Sequence, residues 1–115
     1  MIALGSIEEA LSANPEEVFI RPHTLTTRGD LRLNIGKPEL AVTDFREAIM
    51  LAQKIGAKAY ELRATMSLAR QLRDAGRSDE ARIMLAEIYN WFTEGFDTAD
   101  LKDAKALLDE LSNSP

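Results

Sequence analysis

The chain has 115 residues, of which 45% are hydrophobic, so it holds enough apolar material for one domain with a modest core. Nineteen acidic and 14 basic residues give a net charge of −5, and a general nucleic-acid surface, which needs clustered Lys and Arg, is not expected. The absence of cysteine excludes disulfides and cysteine-based zinc sites and fits a cytoplasmic location. We expect neither an export signal nor a membrane span.

The first predicted elements are a short helix and a longer one. Ser6 precedes two glutamates, a pattern typical of a capped helix start, and predicts a helix over residues 7–13 that Asn14 and Pro15 interrupt. Pro22 lacks an N–H and is expected in a loop or at a helix start. The next helix is therefore predicted from residue 23 to Ile35, with Gly36 as the left-handed residue that ends it.

Two further helices follow, each ended by a glycine. Pro38 is expected in the first turn of a helix that ends at Gly56, with Asp44 on its outer face. The following helix is predicted over residues 57–75, before Gly76. Apolar residues recur in both at intervals of three and four, which is the spacing of one helical face. These residues are Ala41, Phe45, Ala48, Ile49, Ala52 and Ile55, and then Ala59, Leu62, Met66, Ala69 and Leu72.

The last two predicted helices complete an all-α fold, since no segment alternates with a period of two. Ser78 is expected to cap a helix that runs to about Gly95, and Asp97 or Thr98 to cap one over residues 98–111. Each has a single apolar face, which suits packing on one side. The two faces consist of Ala81, Met84, Leu85, Ile88 and Phe92, and of Leu101, Ala104, Leu108 and Leu111.

The chain contains an internal repeat with a spacing of forty residues. Gly36 corresponds to Gly76, Phe45 to Leu85, and the small residue Gly29 to Ala69. This match predicts antiparallel helix-turn-helix units stacked as a short α-solenoid. Within one domain, residues 1–115, we expect two units, residues 23–56 and 57–95, between the helix 7–13 and a capping helix 98–111.

The pattern of Gly29, Gly36, Ala41, Phe45 and Ala48 resembles the tetratricopeptide repeat. That family carries a small residue late in its first helix, a glycine at the turn, and then alanine, a bulky aromatic residue and alanine. The resemblance implies a superhelical stack whose first helices line a concave face. The second unit departs from the pattern at Leu85 and Ile88, and Arg28 and Arg32 fall near a face expected to be apolar, where they must either extend their charged ends to solvent or find partners.

A second resemblance rests on residues 72–77, 89–98 and 101–108. They look like the end of the tetratricopeptide-type region in large bacterial proteins that carry class III nucleotide cyclase or DNA-binding domains ahead of an ATPase module. The likeness covers residues 5–111. It implies a C-terminal piece of a longer signalling protein, whose catalytic chemistry lies outside this sequence.

The sequence predicts neither catalysis nor a cofactor. His23 is the only histidine, and no nucleophile, base and acid, and no set of metal ligands, can be assembled around it. Pairs of acids such as Asp79 and Glu80 are explained by the helix macrodipole, which favours negative charge at helix starts. We therefore expect no enzyme, no bound metal and no cofactor.

The candidate partner-binding residues lie on the helix 57–75 and are Arg63, Met66, Arg70 and Arg73. Arg63 and Arg70 are seven residues apart, so they project in similar directions, and guanidinium groups bind carboxylates well. An acidic peptide is the ligand that this face predicts. The alternative, which we favour, is that the arginines are solvated or pair with Glu61, Asp74 and neighbouring helices.

An aromatic group near the end of the fourth helix is a second surface candidate. Trp91 stands beside Tyr89, Phe92 and Phe96 and could anchor a partner. The favoured interpretation is packing of the last helix against its predecessor.

Two functions remain open. The favoured one is a protein-interaction or scaffolding module that binds a protein, a peptide or other domains of its own polypeptide. The alternative is a structural element that caps or dimerises a larger stack, through an apolar N-terminal edge where Ile7 and Leu11 join residues 1–4.

Overall fold

A computed structural model describes residues 15–113, with side chains from Arg21 onward. These residues form helices and turns without a strand, which confirms the predicted all-α class. The predicted helix 7–13, with its cap Ser6, lies outside the described residues. The helices are α1 (Pro15–Asn34), α2 (Pro38–Ile55), α3 (Lys58–Asp74), α4 (Ser78–Trp91) and α5 (Ala99–Ser112).

The two glycine turns that suggested the repeat have the same geometry. Gly36 and Gly76 have φ angles of 76° and 79°, in the left-handed region that a side chain disfavours. In each turn, the N–H of the next residue donates to the carbonyl five residues earlier, Lys37 to Arg32 at 2.8 Å and Arg77 to Leu72 at 2.7 Å. The turn at Gly56 has the same geometry, with a φ angle of 74° and a hydrogen bond of 2.9 Å from the N–H of Ala57 to the carbonyl of Ala52, so one type of glycine turn ends the first three helices.

The helices form two layers. Each helix packs against the next, and α3 also contacts α1 and α5, whereas α2 and α4 make no contact with each other. Helices α1, α3 and α5 therefore make one layer and α2 and α4 the other, among the described residues. Because the turns reverse the chain between consecutive helices, α3 and α5 run parallel.

The predicted small and large residues meet in the core. Phe45 is fully buried on α2, and its ring lies against Gly29 of α1. A Cβ built on Gly29 would approach Cδ1 of Phe45 to 2.8 Å, so only glycine lets this helix come so close. Leu85 is equally buried in the second unit, where Ala69 is also buried.

The prediction for Pro22 is wrong, because α1 already begins at Pro15 and continues through it. A proline inside a helix leaves one carbonyl of the preceding turn without its N–H donor. The ring of Pro22 is fully buried, and the free energy gained by that burial offsets the lost hydrogen bond.

The prediction that Asp44 lies on the outer face of α2 is also wrong. Its side chain is 1% exposed and its Oδ1 accepts three hydrogen bonds from α1: from Nη2 and Nε of Arg28, at 2.6 and 3.1 Å, and from Nη1 of Arg32, at 3.0 Å. The hydrogen bond to Asp44 is the main cause that raises the pKa of Arg28, against the desolvation that lowers it. The two arginines that needed partners thus share one buried carboxylate.

Smaller corrections concern the ends and faces of the helices. Ala59 is exposed, and Leu107 is buried where Leu108 was expected, because the buried positions of α5 advance by three, three and four residues. Helix α4 begins at Ser78 itself, without a side-chain cap. Thr98 occupies the N-cap of α5, but its hydroxyl donates to the carbonyl of Gly95 at 2.7 Å.

Helix α4 ends earlier than the predicted Gly95. It stops at Trp91, since Phe92 takes an extended backbone conformation with ψ of 134°. Residues 92–98 then form a loop in which Gly95 has a φ angle of 78°. The connection between α2 and α3, in contrast, consists of Gly56 and Ala57 alone. The longer loop opens a space between α3, α4 and α5.

Candidate functional site

The layer of α1, α3 and α5 carries a groove of about 210 Å³ that we call the inner groove. Its lining is mostly polar and includes both signs of charge. The lining residues are His23, Thr26, Thr27, Asp30, Tyr60, Arg63, Met66, Ser67, Arg70 and Asp103. Three of the four predicted partner-binding residues therefore meet in one groove, and Arg73 lies beyond it.

Two of the predicted arginines already have partners on α5. Nε of Arg63 donates to Asp100 at 2.8 Å, and Nη1 of Arg73 donates to Glu110 at 2.9 Å. Nε of Arg73 also donates to Asp74 at 3.2 Å. These contacts agree with the alternative that the arginines pair with acids of neighbouring helices. Glu61, the other suggested acid, instead accepts from Gln53 and Lys58.

Arg70 differs from the other two arginines. It is exposed and forms no hydrogen bond or ion pair with a described residue. The charge of Arg70 acts on Asp30, another residue of the groove: partial burial raises the pKa of Asp30, and Arg70 offsets part of that rise. Arg70 is thus the arginine of the groove that can bind an added carboxylate without losing a hydrogen bond.

Met66 is not the surface residue that the sequence predicted. It is only 5% exposed and belongs to the main hydrophobic core. Its position on α3 places it between the core and the groove, because it contributes to the groove lining. Met66 can supply an apolar floor but little contact area to a partner.

Sequence reasoning missed an aromatic contact beside the arginines. The ring of His23 lies 5.9 Å from that of Tyr60, and the guanidinium carbon of Arg63 lies 6.0 Å from the Tyr60 ring centre. Tyr60 precedes Arg63 by three residues, so the helical spacing alone places both on one face. His23 comes from α1, and nothing in its local sequence indicates this neighbour.

A second cavity, of about 720 Å³, lies beside the loop 92–98, and we call it the loop cavity. Its floor contains Leu62 and Leu101, both buried, and Trp91 forms part of its wall. Trp91 is 57% exposed, and the ammonium of Lys58 lies 5.5 Å from its ring centre. The expectation that the aromatic group is mainly core packing therefore does not hold for Trp91.

The other aromatic residues form contacts within the loop region. Phe92 meets Trp91 edge to face at 5.1 Å, and Phe96 lies 5.7 Å from Tyr89. Tyr89 and Phe92 are partly buried against the core, whereas Phe96 is exposed. The sequence indicated the cluster, but it did not indicate the cavity, which depends on the early end of α4.

The chemistry available in the inner groove is binding by hydrogen bonds and charge. No group of three or more metal-ligating side chains occurs in the described part of the chain. Among the same residues, no helix is long and apolar enough to cross a membrane. The groove offers two arginines, two aspartates (Asp30 and Asp103), two threonines and a serine, which suit a polar, extended ligand.

Comparisons with known proteins give no assignment. No protein-family model matches the chain, and searches of curated proteins and of solved structures returned no match.

Proposed function

We propose that this chain is a protein-interaction module, a short α-solenoid of the tetratricopeptide type without catalysis of its own. Its inner groove binds an extended peptide that carries carboxylates, from a separate protein or from another domain of the same polypeptide. In keeping with the resemblance described above, the module belongs to a larger bacterial signalling protein and acts in the cytoplasm.

Two features of the fold support a repeat module. Phe45 and Leu85, forty residues apart, are both fully buried, and the corresponding small residues Gly29 and Ala69 are buried as well. The contacts of α3 with both α1 and α5 place alternate helices side by side, which is how helical repeats build one continuous face. That face holds the inner groove.

The observation that carries the proposal is the state of Arg70. It is exposed in a groove whose other arginine, Arg63, lies over the Tyr60 ring and forms a partly exposed ion pair with Asp100. Such exposed pairs contribute little stability, so a ligand carboxylate can replace Asp100 at small cost. The groove can therefore present two guanidinium groups to one peptide, spaced about 10 Å apart along α3.

The test is a selection of random peptides displayed on phage against the immobilised chain. We expect the enriched peptides to contain Asp or Glu, and Arg70→Glu to weaken their binding at least tenfold. Asp30→Asn should strengthen binding, because it removes a negative charge from the groove. Arg46→Glu is the matched control, since it makes the same charge change on exposed α2 and should leave binding unchanged.

Two results would contradict the proposal. One is a selection without enrichment over an empty surface. The other is a set of peptides that bind the Arg70→Glu and Arg46→Glu variants equally well.

The alternative, a structural element that caps or dimerises a larger stack, is supported by one patch. Leu31 on α1 and Ile35, the residue that follows the helix, are 59% and 66% exposed. Light scattering over a hundredfold range of concentration separates the two functions. A constant monomer mass favours the interaction module, whereas a dimer that Leu31→Asp dissociates favours the structural element. The predicted N-terminal edge, residues 1–4 with Ile7 and Leu11, lies outside the described residues.

A further inference from the structure

The loop cavity and the inner groove are neighbours along α3. Ala59 lines the loop cavity and Arg63 lines the groove, and these two residues stand one turn apart on the same helix face. Asp100 lines the loop cavity and is the residue that Arg63 binds. The ion pair of Arg63 and Asp100 therefore forms the boundary between the two cavities.

The loop cavity has the character of a site for one large apolar group. Its volume of about 720 Å³ lies within the range of ligand pockets, which are mostly apolar with a few polar groups. Leu62 and Leu101 provide the floor, and Trp91 provides an exposed aromatic wall. The equivalent connection in the first unit, Gly56 and Ala57, is too short to enclose such a space.

We propose that the peptide bound in the inner groove inserts a large apolar side chain into the loop cavity. This inference rests on the proposed function and specifies its ligand. The apolar residue lies next to the carboxylate that takes Arg63 from Asp100. The partner is therefore a peptide with one large apolar residue and acidic residues at fixed distances from it.

The spacing of the peptide follows from the positions on α3. Helix rise is about 1.5 Å per residue, so Arg63 and Arg70 lie roughly 6 and 16 Å from Ala59 along the axis. An extended peptide advances about 3.3 Å per residue. Alternate side chains of an extended chain face the same side, so the acidic residues should stand at even spacings, about two and about four or six positions from the apolar residue.

The chain offers a direct fluorescence test, because Trp91 is its only tryptophan and forms part of the cavity wall. The probe is anilinonaphthalene sulfonate, which combines aromatic rings with an anion. We expect saturable binding of one probe per chain, with energy transfer from Trp91. Ala59→Phe, which fills the cavity from an exposed first-turn position, should weaken this binding at least tenfold.

Two variants control the experiment. Ala106→Phe makes the same change at an exposed position on α5 outside both cavities and should bind the probe like the unmodified chain. Trp91→Ala removes the exposed wall and should weaken binding. Because this variant has no tryptophan to transfer energy, its binding is followed by the emission of the probe. Circular dichroism melts establish that each variant is folded. Probe binding that does not saturate, or that Ala59→Phe leaves unchanged, overturns the cavity as a binding site.

The peptide selection distinguishes failure of this inference from failure of the proposed function. If both are right, peptides selected on the Ala106→Phe variant carry a large apolar residue about two positions from an acid, and those selected on Ala59→Phe lack it. If both pools contain the same acidic peptides without an apolar requirement, the inner groove binds peptides and the inference about the cavity is wrong. If neither pool depends on Arg70, the proposed function itself is wrong.

Discussion

The two helix-turn-helix units differ in one contact between their helices, which is ionic in the first unit and apolar in the second. In the first unit, Arg28 and Arg32 of α1 hold Asp44 of α2. Forty residues later, the equivalent positions are Leu68, Leu72 and Met84, where the two leucines are buried and Met84 packs partly buried against the same core. The turn geometry is nevertheless the same in both units. A repeat can therefore keep its backbone while one contact between its helices changes from apolar to ionic.

The two units should also differ in how much unfolding free energy a single substitution at these positions removes. A buried ion pair must offset the desolvation of its charges, and apolar residues of similar volume often do as well or better. Removing only one partner, however, leaves an uncompensated charge in the interior. The first unit should therefore be more sensitive to single substitutions at these positions than to replacement of the whole group.

The largest expected effect is at Phe45. Phe45→Ala removes a fully buried ring that fills the space beside Gly29, and we expect a loss of about 3–5 kcal/mol in the free energy of unfolding. Urea denaturation measures it. Leu85→Ala at the equivalent position is the control and should cost less, since a smaller side chain is removed. An unchanged melt for Phe45→Ala would show that Phe45 does not fill the core.

The next effect is at Asp44. Asp44→Asn keeps the shape of the side chain and removes its charge, which leaves Arg28 and Arg32 facing each other. We expect a loss of about 2–3 kcal/mol, below the 3–5 kcal/mol of fully buried pairs, because the arginine side chains are 28% and 24% exposed. Denaturation in urea, which leaves ionic strength low, is the measurement.

A combined variant sharpens this prediction. Arg28→Leu, Arg32→Leu and Asp44→Met together give the first unit the residues of the second. The free energy of unfolding of this triple variant should be no more than about 1 kcal/mol below that of the unmodified chain, and it can exceed it. If it is as unstable as Asp44→Asn, the ionic contact is required by the first unit and the two units are not interchangeable.

A smaller effect is expected at Gly29. Gly29→Ala places a Cβ within 2.8 Å of Cδ1 of Phe45, and the overpacking should cost about 1–2 kcal/mol even though alanine favours the helix. The double variant Gly29→Ala with Phe45→Leu reproduces the Ala69 and Leu85 pair of the second unit. Its loss of unfolding free energy should be smaller than the sum of the losses of the two single variants, which a double-mutant cycle measures. Additive effects would mean that the two residues do not share this space.

The smallest effect is expected at the surface ion pair of Arg63 and Asp100, which joins an arginine to an aspartate as the buried contact of Asp44 does. Asp100→Asn removes the partner of Arg63, but both side chains are partly exposed. We expect a change in unfolding free energy below about 1 kcal/mol, and added salt should reduce it further. A loss as large as that of Asp44→Asn would mean that burial does not decide the cost of breaking these pairs.

Much of the fold could be predicted from the sequence because its signals are local. Glycine indicated the turns, and the interval of three and four residues identified most of the buried face of α2 but only part of that of α3, which also includes Ala64 and Leu68. The predictions for Pro22 and Asp44 were wrong for a common reason. Local sequence treats a proline and a carboxylate by their usual preferences, whereas burial of the Pro22 ring and two arginines from another helix reversed those preferences.

The candidate site was less predictable, because it depends on contacts between helices. The spacing of Arg63 and Arg70 placed both on one face, but it did not indicate that Asp100 binds Arg63 and that Arg70 lacks such a hydrogen bond. The loop cavity depends on where α4 stops. The predicted end at Gly95 is four residues beyond the observed end at Trp91. The residues between these two ends line the cavity.

The two ion pairs between α3 and α5 have a mechanical consequence. Arg63 with Asp100 and Arg73 with Glu110 link residues thirty-seven apart in both cases, so the pairs act as two rungs between parallel helices and oppose sliding of one along the other. A ligand that takes Arg63 from Asp100 removes only the first rung. The second rung then remains at the far end of α5, while its near end, next to the loop 92–98, is held by the burial of Leu101 and Ala104.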